Sequence, residues 1–184
     1  MQMTLAERLW PGVSTNRIQQ ATLAIAGSLL LAVSAHVKVP FWPVPMTMQT
    51  FVVLMIGATY GRNLAVATVA GYLIEGAIGL PFFAVGGGLA ILVGPTAGYL
   101  FGFLIAAGLV GQLANRGMGR TVPTAVLIFI AGDAAIFLCG VGWLSTIIGI
   151  DKAVAGGLAP FMLAEAVKIA LACALLPMAW KRRS

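Results

Sequence analysis

The stretch from Ala153 to Trp180 is a long apolar run with only two charged residues, Glu165 and Lys168. An ionisable side chain at mid-membrane costs roughly 2.5–3.5 kcal/mol on insertion scales, so such residues face a protein interior or a cavity. Three residues apart, Glu165 and Lys168 lie on one side of a helix. The run therefore predicts a membrane helix whose charged pair faces inward.

The Glu165/Lys168 pair has two interpretations. In one, the two side chains satisfy each other and hold neighbouring helices together. In the other, they bind a small polar ligand, and Phe161 lies one turn earlier on the same stripe. Ionisable residues inside membranes are usually functional, so we favour the ligand-binding interpretation.

The composition fits an integral membrane protein. Of 184 residues, 60% are hydrophobic and 9% are charged, and the mean hydropathy is +1.01. The basic residues behind the net charge of +6 flank apolar segments instead of forming an aromatic-interleaved patch, so we expect no nucleic-acid partner. Cys139, Cys173 and the single histidine, His36, form no metal-ligand pattern, so we expect no metal and no cofactor.

The apolar segments predict an all-α membrane protein with six transmembrane helices in one domain, 1–184. The expected spans are 18–37, 46–60, 64–80, 96–113, a fifth ending at 148 and a sixth ending at 180. Residues 1–17 are expected to form a cytoplasmic, interfacial arm. The proline-rich segment 38–45 predicts an extended loop, and Asp151-Lys152 with Gly156-Gly157 predicts another loop before the last span.

The segment Gly79–Gly88 is rich in glycine and yet hydrophobic. Irregular backbone at membrane depth is tolerated only against protein or a water-filled cavity, so we expect a re-entrant outer loop that acts as a lid. Gly86 and Gly87 indicate close approach of backbone to a ligand. They lack the strand and the Lys-Ser/Thr context of a phosphate-binding loop.

Basic residues fall mainly on the side of the membrane that carries both termini. That side has Arg8, Arg17, Arg62, Arg116, Arg120, Lys181, Arg182 and Arg183, and the other has Lys38 and Lys152. The positive-inside rule therefore predicts cytoplasmic termini. Gln49, Glu75 and the Glu165/Lys168 pair then fall near the outer end, as expected of a pocket loaded from outside.

Asp133 is the single charge in the fifth span. At about 1.5 Å of rise per residue, it lies several ångströms deeper than Lys168. We therefore expect a structural or coupling role for Asp133.

The sequence contains no Walker-type lysine motif, no His-Glu-x-x-His and no Ser/His/Asp candidate set. We expect no enzyme activity. A self-sufficient secondary transporter is an alternative, although two-fold internal repeats are not visible.

Three motifs are distinctive: Pro43-Val-Pro-Met-Thr-Met-Gln-Thr50, the segment from Gly71-Tyr-Leu-Ile-Glu-Gly to Gly86-Gly-Gly88, and Gly94-Pro-Thr-Ala-Gly-Tyr-Leu-Phe-Gly-Phe103. They resemble the BioY family, the biotin-binding subunits (S components) of energy-coupling-factor (ECF) transporters. The resemblance covers essentially the whole chain. It implies an S-component bundle of six helices, with biotin bound near the outer face of the bacterial cytoplasmic membrane.

The resemblance also implies roles for individual residues. The family's last helix carries Pro-Phe, then Gly-Asp, two residues and Lys, with the acid and the lysine contacting biotin. This pattern falls on Pro160-Phe161 and Ala164-Glu165-Ala-Val-Lys168, where Ala-Glu replaces Gly-Asp. Phe82, Phe83, Tyr99 and Phe161 are candidates for the apolar walls of the pocket, and ordinary helix packing is the alternative for each.

Ala24, Ser28 and Ala32 recur every fourth residue, a spacing that allows close helix approach. By resemblance, this face docks the ECF coupling protein, which works with ABC-type ATPases. Packing within the bundle is the alternative. A solitary biotin transporter, or an S component for another vitamin, also remains open.

Overall fold

Helices make up most of the structure. The computed structural model describes residues 3–181, with only the backbone of Lys181. The helices in this range are α1 Leu5–Leu9, α2 Arg17–His36, α3 Gln49–Tyr60, α4 Arg62–Ala77, α5 Ala97–Asn115, α6 Val122–Ile148, α7 Ile150–Gly157 and α8 Met162–Lys181. The all-α prediction is confirmed. Arg182 and Arg183, which entered the charge count, lie outside the described residues, as do Met1 and Gln2.

Two short strands interrupt the helical pattern at one end of the bundle. β1 Lys38–Val39 and β2 Met46–Thr47 pair antiparallel, so the proline-rich loop is extended, as predicted. Because Met46 and Thr47 belong to β2, the helix expected to open at Met46 begins at Gln49 instead. Its length of 12 residues corresponds to about 18 Å.

Four segments of residues 3–181 are long and apolar enough to cross a membrane: Arg17–His36, Ala97–Asn115, Val122–Ile148 and Ile150–Trp180. The expected positions of these spans agree with α2, α5, α6 and α8. α3 and α4 are shorter than these segments. Six membrane crossings therefore stay a prediction.

The expected loop at Asp151-Lys152 is helical, contrary to the prediction. Gly149, with φ of +84°, ends α6 and allows the chain to start α7 at once. Ala153 is fully buried, so the eight-residue helix is stabilised by packing against the bundle. Charged residues and glycines therefore did not prevent a helix here, because packing against the bundle stabilises it.

α5 and α6 pack closely because glycines face the partner helix. A Cβ atom on Gly140 would lie 2.3 Å from the Tyr99 ring, and one on Gly98 would lie 2.5 Å from the carbonyl oxygen of Cys139. Tyr99 is thus seated directly against the α6 backbone. This contact fixes one wall of the candidate site described below.

The stripe of small residues on α2 faces the interior of the bundle. Ser28 and Ala32 are 2% and 6% exposed, and Ala24 is partly buried. On this side α2 packs against α4, where a Cβ atom on the neighbouring Gly27 would lie 2.6 Å from Thr68 Cγ2. Ser28 and Ala32 are therefore covered by the chain itself. Docking of a partner by this stripe stays a prediction.

The N-terminal arm is partly folded onto the bundle. Thr4 and Glu7 form a capping box that starts α1, and Leu5 and Ala6 are buried beside α3. At the same end, the guanidinium groups of Arg8 and Arg120 lie over the Trp180 ring, 5.5 and 4.6 Å from its centroid. The arm, the turn before α6 and the end of α8 therefore meet in one basic and aromatic cluster.

Candidate ligand-binding site

Glu165 and Lys168 form a buried ion pair near the start of α8. The distance between Lys168 Nζ and Glu165 Oε1 is 2.7 Å, and the residues are 7% and 2% exposed for the lysine and the acid. The sequence predicted that the two side chains lie on one inward face, and the structure confirms it. A buried pair of this kind needs further hydrogen bonds to offset the desolvation of its charges.

Two threonines supply those hydrogen bonds. Lys168 Nζ also donates to Thr50 Oγ1 at 3.0 Å and to the carbonyl oxygen of Thr47 at 2.6 Å. Thr50 Oγ1 in turn donates to Glu165 Oε2 at 2.8 Å. Three acceptors thus engage the three hydrogens of the ammonium. The network joins α8 to the start of α3.

Sequence reasoning selected Gln49 in this segment and missed Thr47 and Thr50. The available signal was the motif Met46-Thr-Met-Gln-Thr50, in which two hydroxyl groups flank the amide at a helix start. Threonines are common at the N-termini of helices as capping residues, so the sequence alone does not distinguish capping from a role in the site.

A cavity with a volume of about 50 Å³ adjoins the network. Its lining residues come from the proline-rich loop, β2, α3, the glycine-rich segment, α5 and the residue before it, α6, the turn before α8 and the start of α8: Val44, Pro45, Thr47, Gln49, Thr50, Phe83, Ala84, Thr96, Tyr99, Leu100, Phe103, Phe137, Phe161 and Glu165. The lining is apolar and aromatic at one side and polar at the other, the usual make-up of a small-molecule site. Ligand pockets are commonly about 300–1,000 Å³, so this cavity is contracted.

Aromatic rings form one continuous wall of the cavity. Tyr99 contacts Phe137 edge-on at 5.8 Å between ring centroids, and Phe137 contacts Phe161 at 5.8 Å. Phe41 of the proline-rich loop continues the series at 6.5 Å from Phe161. Tyr99 is further fixed by its hydroxyl, which donates to the carbonyl oxygen of Gly157 at 2.7 Å. Sequence reasoning identified Tyr99 and Phe161 but missed Phe137.

Gln49 links the cavity to the glycine-rich segment. Its Nε2 donates to the Tyr72 hydroxyl at 2.6 Å, and that hydroxyl donates to the carbonyl oxygen of Phe82 at 3.1 Å. Gln49 is 3% exposed and Tyr72 is fully buried. The chain of hydrogen bonds is therefore shielded from solvent, and it fixes one end of the segment.

The glycine-rich segment packs over the cavity through Phe83. The Phe83 ring is 1% exposed and contacts Tyr72 edge-on at 5.5 Å. Backbone hydrogen bonds between Phe83 and Gly86 close the turn behind it. The side chain of Lys38 donates to the carbonyl oxygen of Ala84, which ties the turn to β1.

Several residues predicted for the site are not brought to the cavity. Phe82, Gly86 and Gly87 lie in the segment above it, where Phe83 and Ala84 form the lining instead. Lys168 is not among the lining residues and meets the cavity through its hydrogen-bond partners Thr47, Thr50 and Glu165, which line it. Glu75 lies apart on α4, and its Oε2 is buried without a hydrogen-bond partner among residues 3–181. Ligand contact by these residues stays a prediction.

Asp133 lies beside the ion pair, although counting residues along the helices separated the two. The rings of Phe137 on α6 and Phe161 on α8 are in contact at 5.8 Å between centroids. Asp133 and Glu165 each lie one turn further toward the opposite end of the bundle, so their side chains come together beside Lys168. Asp133 is 8% exposed, and its Oδ1 has no hydrogen-bond partner in the described part of the chain. The polar end of the site therefore contains two carboxyl groups and one ammonium. Within residues 3–181, no group of three or more His, Cys, Asp or Glu side chains is arranged to hold a metal ion.

The sequence of this chain is similar to those of known proteins. The chain is 36% identical over 155 residues to "Biotin transporter BioY" of Thermotoga maritima, covering 83% of this chain and 90% of the relative. It is 35% identical to "Probable biotin transporter BioY" of Pyrococcus horikoshii, covering 85% of this chain and 93% of the relative.

A solved structure shares the fold. It is the 2.1 Å crystal structure of the S-component for biotin from an ECF-type ABC transporter, with a TM-score of 0.77 and 21% sequence identity. The match covers 90% of this chain and 92% of that chain. The model of the BioY family matches residues 5–184. This chain therefore belongs to the BioY family.

Proposed function

We propose that this protein captures biotin in the Glu165 cavity and serves as the substrate-binding subunit of an ECF-type transporter. The observation that carries the proposal is a buried carboxylate, Glu165, at the polar end of an aromatic cavity in a member of the BioY family. Relatives named as biotin transporters support the identity of the ligand.

The two ends of the cavity match the two ends of biotin's bicyclic ring system. A ureido ring offers two N–H donors, and the Glu165 carboxylate accepts charge-assisted hydrogen bonds from them. The thioether ring and the aliphatic tail require apolar surface, which Tyr99, Phe137 and Phe161 provide. Lys168 acts through Glu165 by holding the carboxylate in place.

A cavity of about 50 Å³ is smaller than a ligand of this size, so we expect its lining to move when biotin binds. Phe83 and Ala84 cover the cavity and belong to the glycine-rich segment, which supports a lid role for Gly79–Gly88. We expect backbone amides of this segment to exchange hydrogen more slowly when biotin is bound, because the ligand stabilises the conformers that it contacts. Mass spectrometry of exchange measures this directly. The turn Arg116–Arg120, remote from the cavity, provides an internal control, and equal exchange of Gly79–Gly88 with and without biotin would exclude the lid.

Tyr72→Phe tests the link between the cavity and the lid. The variant leaves Gln49 Nε2 and the carbonyl oxygen of Phe82 without their shared partner, and a neutral hydrogen bond contributes about 1 kcal/mol. We expect biotin affinity to fall about fivefold to tenfold in calorimetry. Tyr60→Phe is the matched control, since its hydroxyl donates to the carbonyl oxygen of Leu23 away from the cavity. A similar loss in both variants would contradict a specific role for Tyr72.

We also propose six membrane crossings, with both termini in the cytoplasm of a bacterial cell. The bases Arg8, Arg62 and Arg120 lie at the end of the bundle opposite the cavity, which the positive-inside rule assigns to the cytoplasm. α3 and α4 complete the six as shorter crossings. The cavity then opens on the outer side.

Energy for uptake is proposed to come from a coupling membrane protein and ABC-type ATPases, and the chain itself is proposed to have no enzyme activity. The competing function is a solitary biotin transporter. Uptake of labelled biotin into vesicles, with and without the coupling module and ATP, separates the two. Uptake only with the complete module supports the S-component function, and equal uptake by this chain alone contradicts it.

A further inference from the structure

The hydrogen bonds around Asp133 are incomplete if its carboxyl group is ionised. A carboxylate only accepts hydrogen bonds, and Asp133 Oδ1 is buried without a donor among residues 3–181. Lys168 cannot supply one, because its three hydrogens are directed at Thr47, Thr50 and Glu165. A buried acceptor left without a donor is strongly unfavourable.

A count of the charges beside Lys168 also indicates that Asp133 and Glu165 are not both ionised. Asp133 and Glu165 both lie beside the single ammonium of Lys168, which neutralises one of them. α3 and α5, which pack against α6, carry no charged side chain. On α7, Asp151 and Lys152 are exposed, and in the described part of the chain no further charged side chain interacts with Asp133. Two ionised carboxylates here would leave one uncompensated charge.

We propose that Asp133 and Glu165 share one proton, and that Asp133 is the positioning residue of Glu165. With the proton, Asp133 becomes a donor to Glu165, and Asp133, Glu165 and Lys168 together carry no net charge. The Glu165 carboxylate is then held by Lys168, by Thr50 and by Asp133. No ligand is needed for this arrangement.

The shared proton is expected to be coupled to the binding of biotin, a step that rests on the proposed function. Loss of the proton removes a hydrogen bond from Glu165 and places a second carboxylate beside Lys168, which competes for the ammonium. The protonated form therefore binds biotin more tightly, and affinity falls as pH rises. By reciprocity, biotin binding takes up protons at alkaline pH.

Infrared difference spectroscopy on the full-length protein without ligand tests the proton directly. The unmodified protein is expected to show, at neutral pH, a carbonyl-stretch band of a protonated carboxylic acid that is lost in Asp133→Asn. The chain has only five acidic residues, which keeps the assignment simple. Glu75→Gln is the control: Glu75 Oε2 is also buried without a partner among residues 3–181, so this variant removes any band of Glu75 and is expected to retain the one assigned to Asp133. A spectrum that is unchanged by Asp133→Asn would overturn the proposal, whether or not the protein binds biotin.

Biotin affinity as a function of pH tests the positioning role. Between about pH 6 and 9, where biotin's own carboxylate stays ionised, affinity of the unmodified protein should fall with rising pH, and that of Asp133→Asn should be independent of pH. The Asn amide still donates to Glu165, so Asp133→Leu should bind about tenfold more weakly than Asp133→Asn. Equal pH dependence in the unmodified protein and Asp133→Asn, or equal affinity of the Asn and Leu variants, would contradict it.

Discussion

Lys168→Met is expected to weaken biotin binding by about 2 kcal/mol or more, about 30-fold. Methionine keeps much of the length of the side chain but removes the ammonium, which leaves Glu165 buried without its counter-ion. Thr50 and the carbonyl oxygen of Thr47 also lose their donor. The carboxylate proposed to meet the ligand is then poorly held, so it is expected to be a weaker acceptor.

Calorimetry with the purified variant in detergent measures this loss. Lys152→Met is the matched control, because it makes the same chemical change on an exposed side chain of α7. The thermal midpoint of each variant shows whether the bundle remains folded. Unchanged affinity in a folded Lys168→Met variant would show that the ion pair has no part in binding.

Glu165→Ala is expected to weaken biotin binding by at least about 2 kcal/mol, because it removes the carboxylate that lines the cavity. It also strands the Lys168 ammonium in a buried position, with only the oxygens of Thr47 and Thr50 as partners. The two variants therefore fail for different reasons. Glu165→Ala removes the direct contact, whereas Lys168→Met removes what positions it.

Glu165→Asp tests whether binding depends on the carboxylate alone or also on the length of the side chain that carries it. Aspartate is the residue that the family pattern places here, and it keeps the carboxylate while shortening the side chain by one methylene. We expect Glu165→Asp to retain most of the affinity that Glu165→Ala loses. Loss of binding in both would mean that the cavity is built around the longer acid, whose two oxygens contact Lys168 and Thr50.

The ends of most helices and the inward face of the charged pair were predictable from local sequence. Uncharged runs set the positions of α2, α5 and α6, and a spacing of three residues set the common face of Glu165 and Lys168. Both signals depend on neighbours in the chain alone.

The position of Asp133 was not predictable in this way. Rise per residue estimates depth along a straight helix, but it does not describe how far two helices slide or tilt against each other. The close approach of α5 and α6 at Gly98 and Gly140 fixes where α6 lies. Asp133 meets Glu165 because of that packing.

The partner of the small-residue stripe on α2 was not predictable from local sequence either. A spacing of four between Ser28 and Ala32 predicts that something approaches closely, and it does not distinguish another helix of the same chain from a partner. The structure gives both positions to the bundle itself. Docking of a partner by this face stays a prediction.

The most direct test of the account is a calorimetric titration of the purified, full-length protein with biotin, desthiobiotin, riboflavin and thiamine. The Glu165 cavity with its aromatic wall predicts saturable binding of biotin. Desthiobiotin keeps the ureido ring but lacks the thioether ring, so it should bind more weakly, and riboflavin and thiamine should not compete. Binding of riboflavin or thiamine in preference to biotin would contradict the assignment of this cavity to biotin.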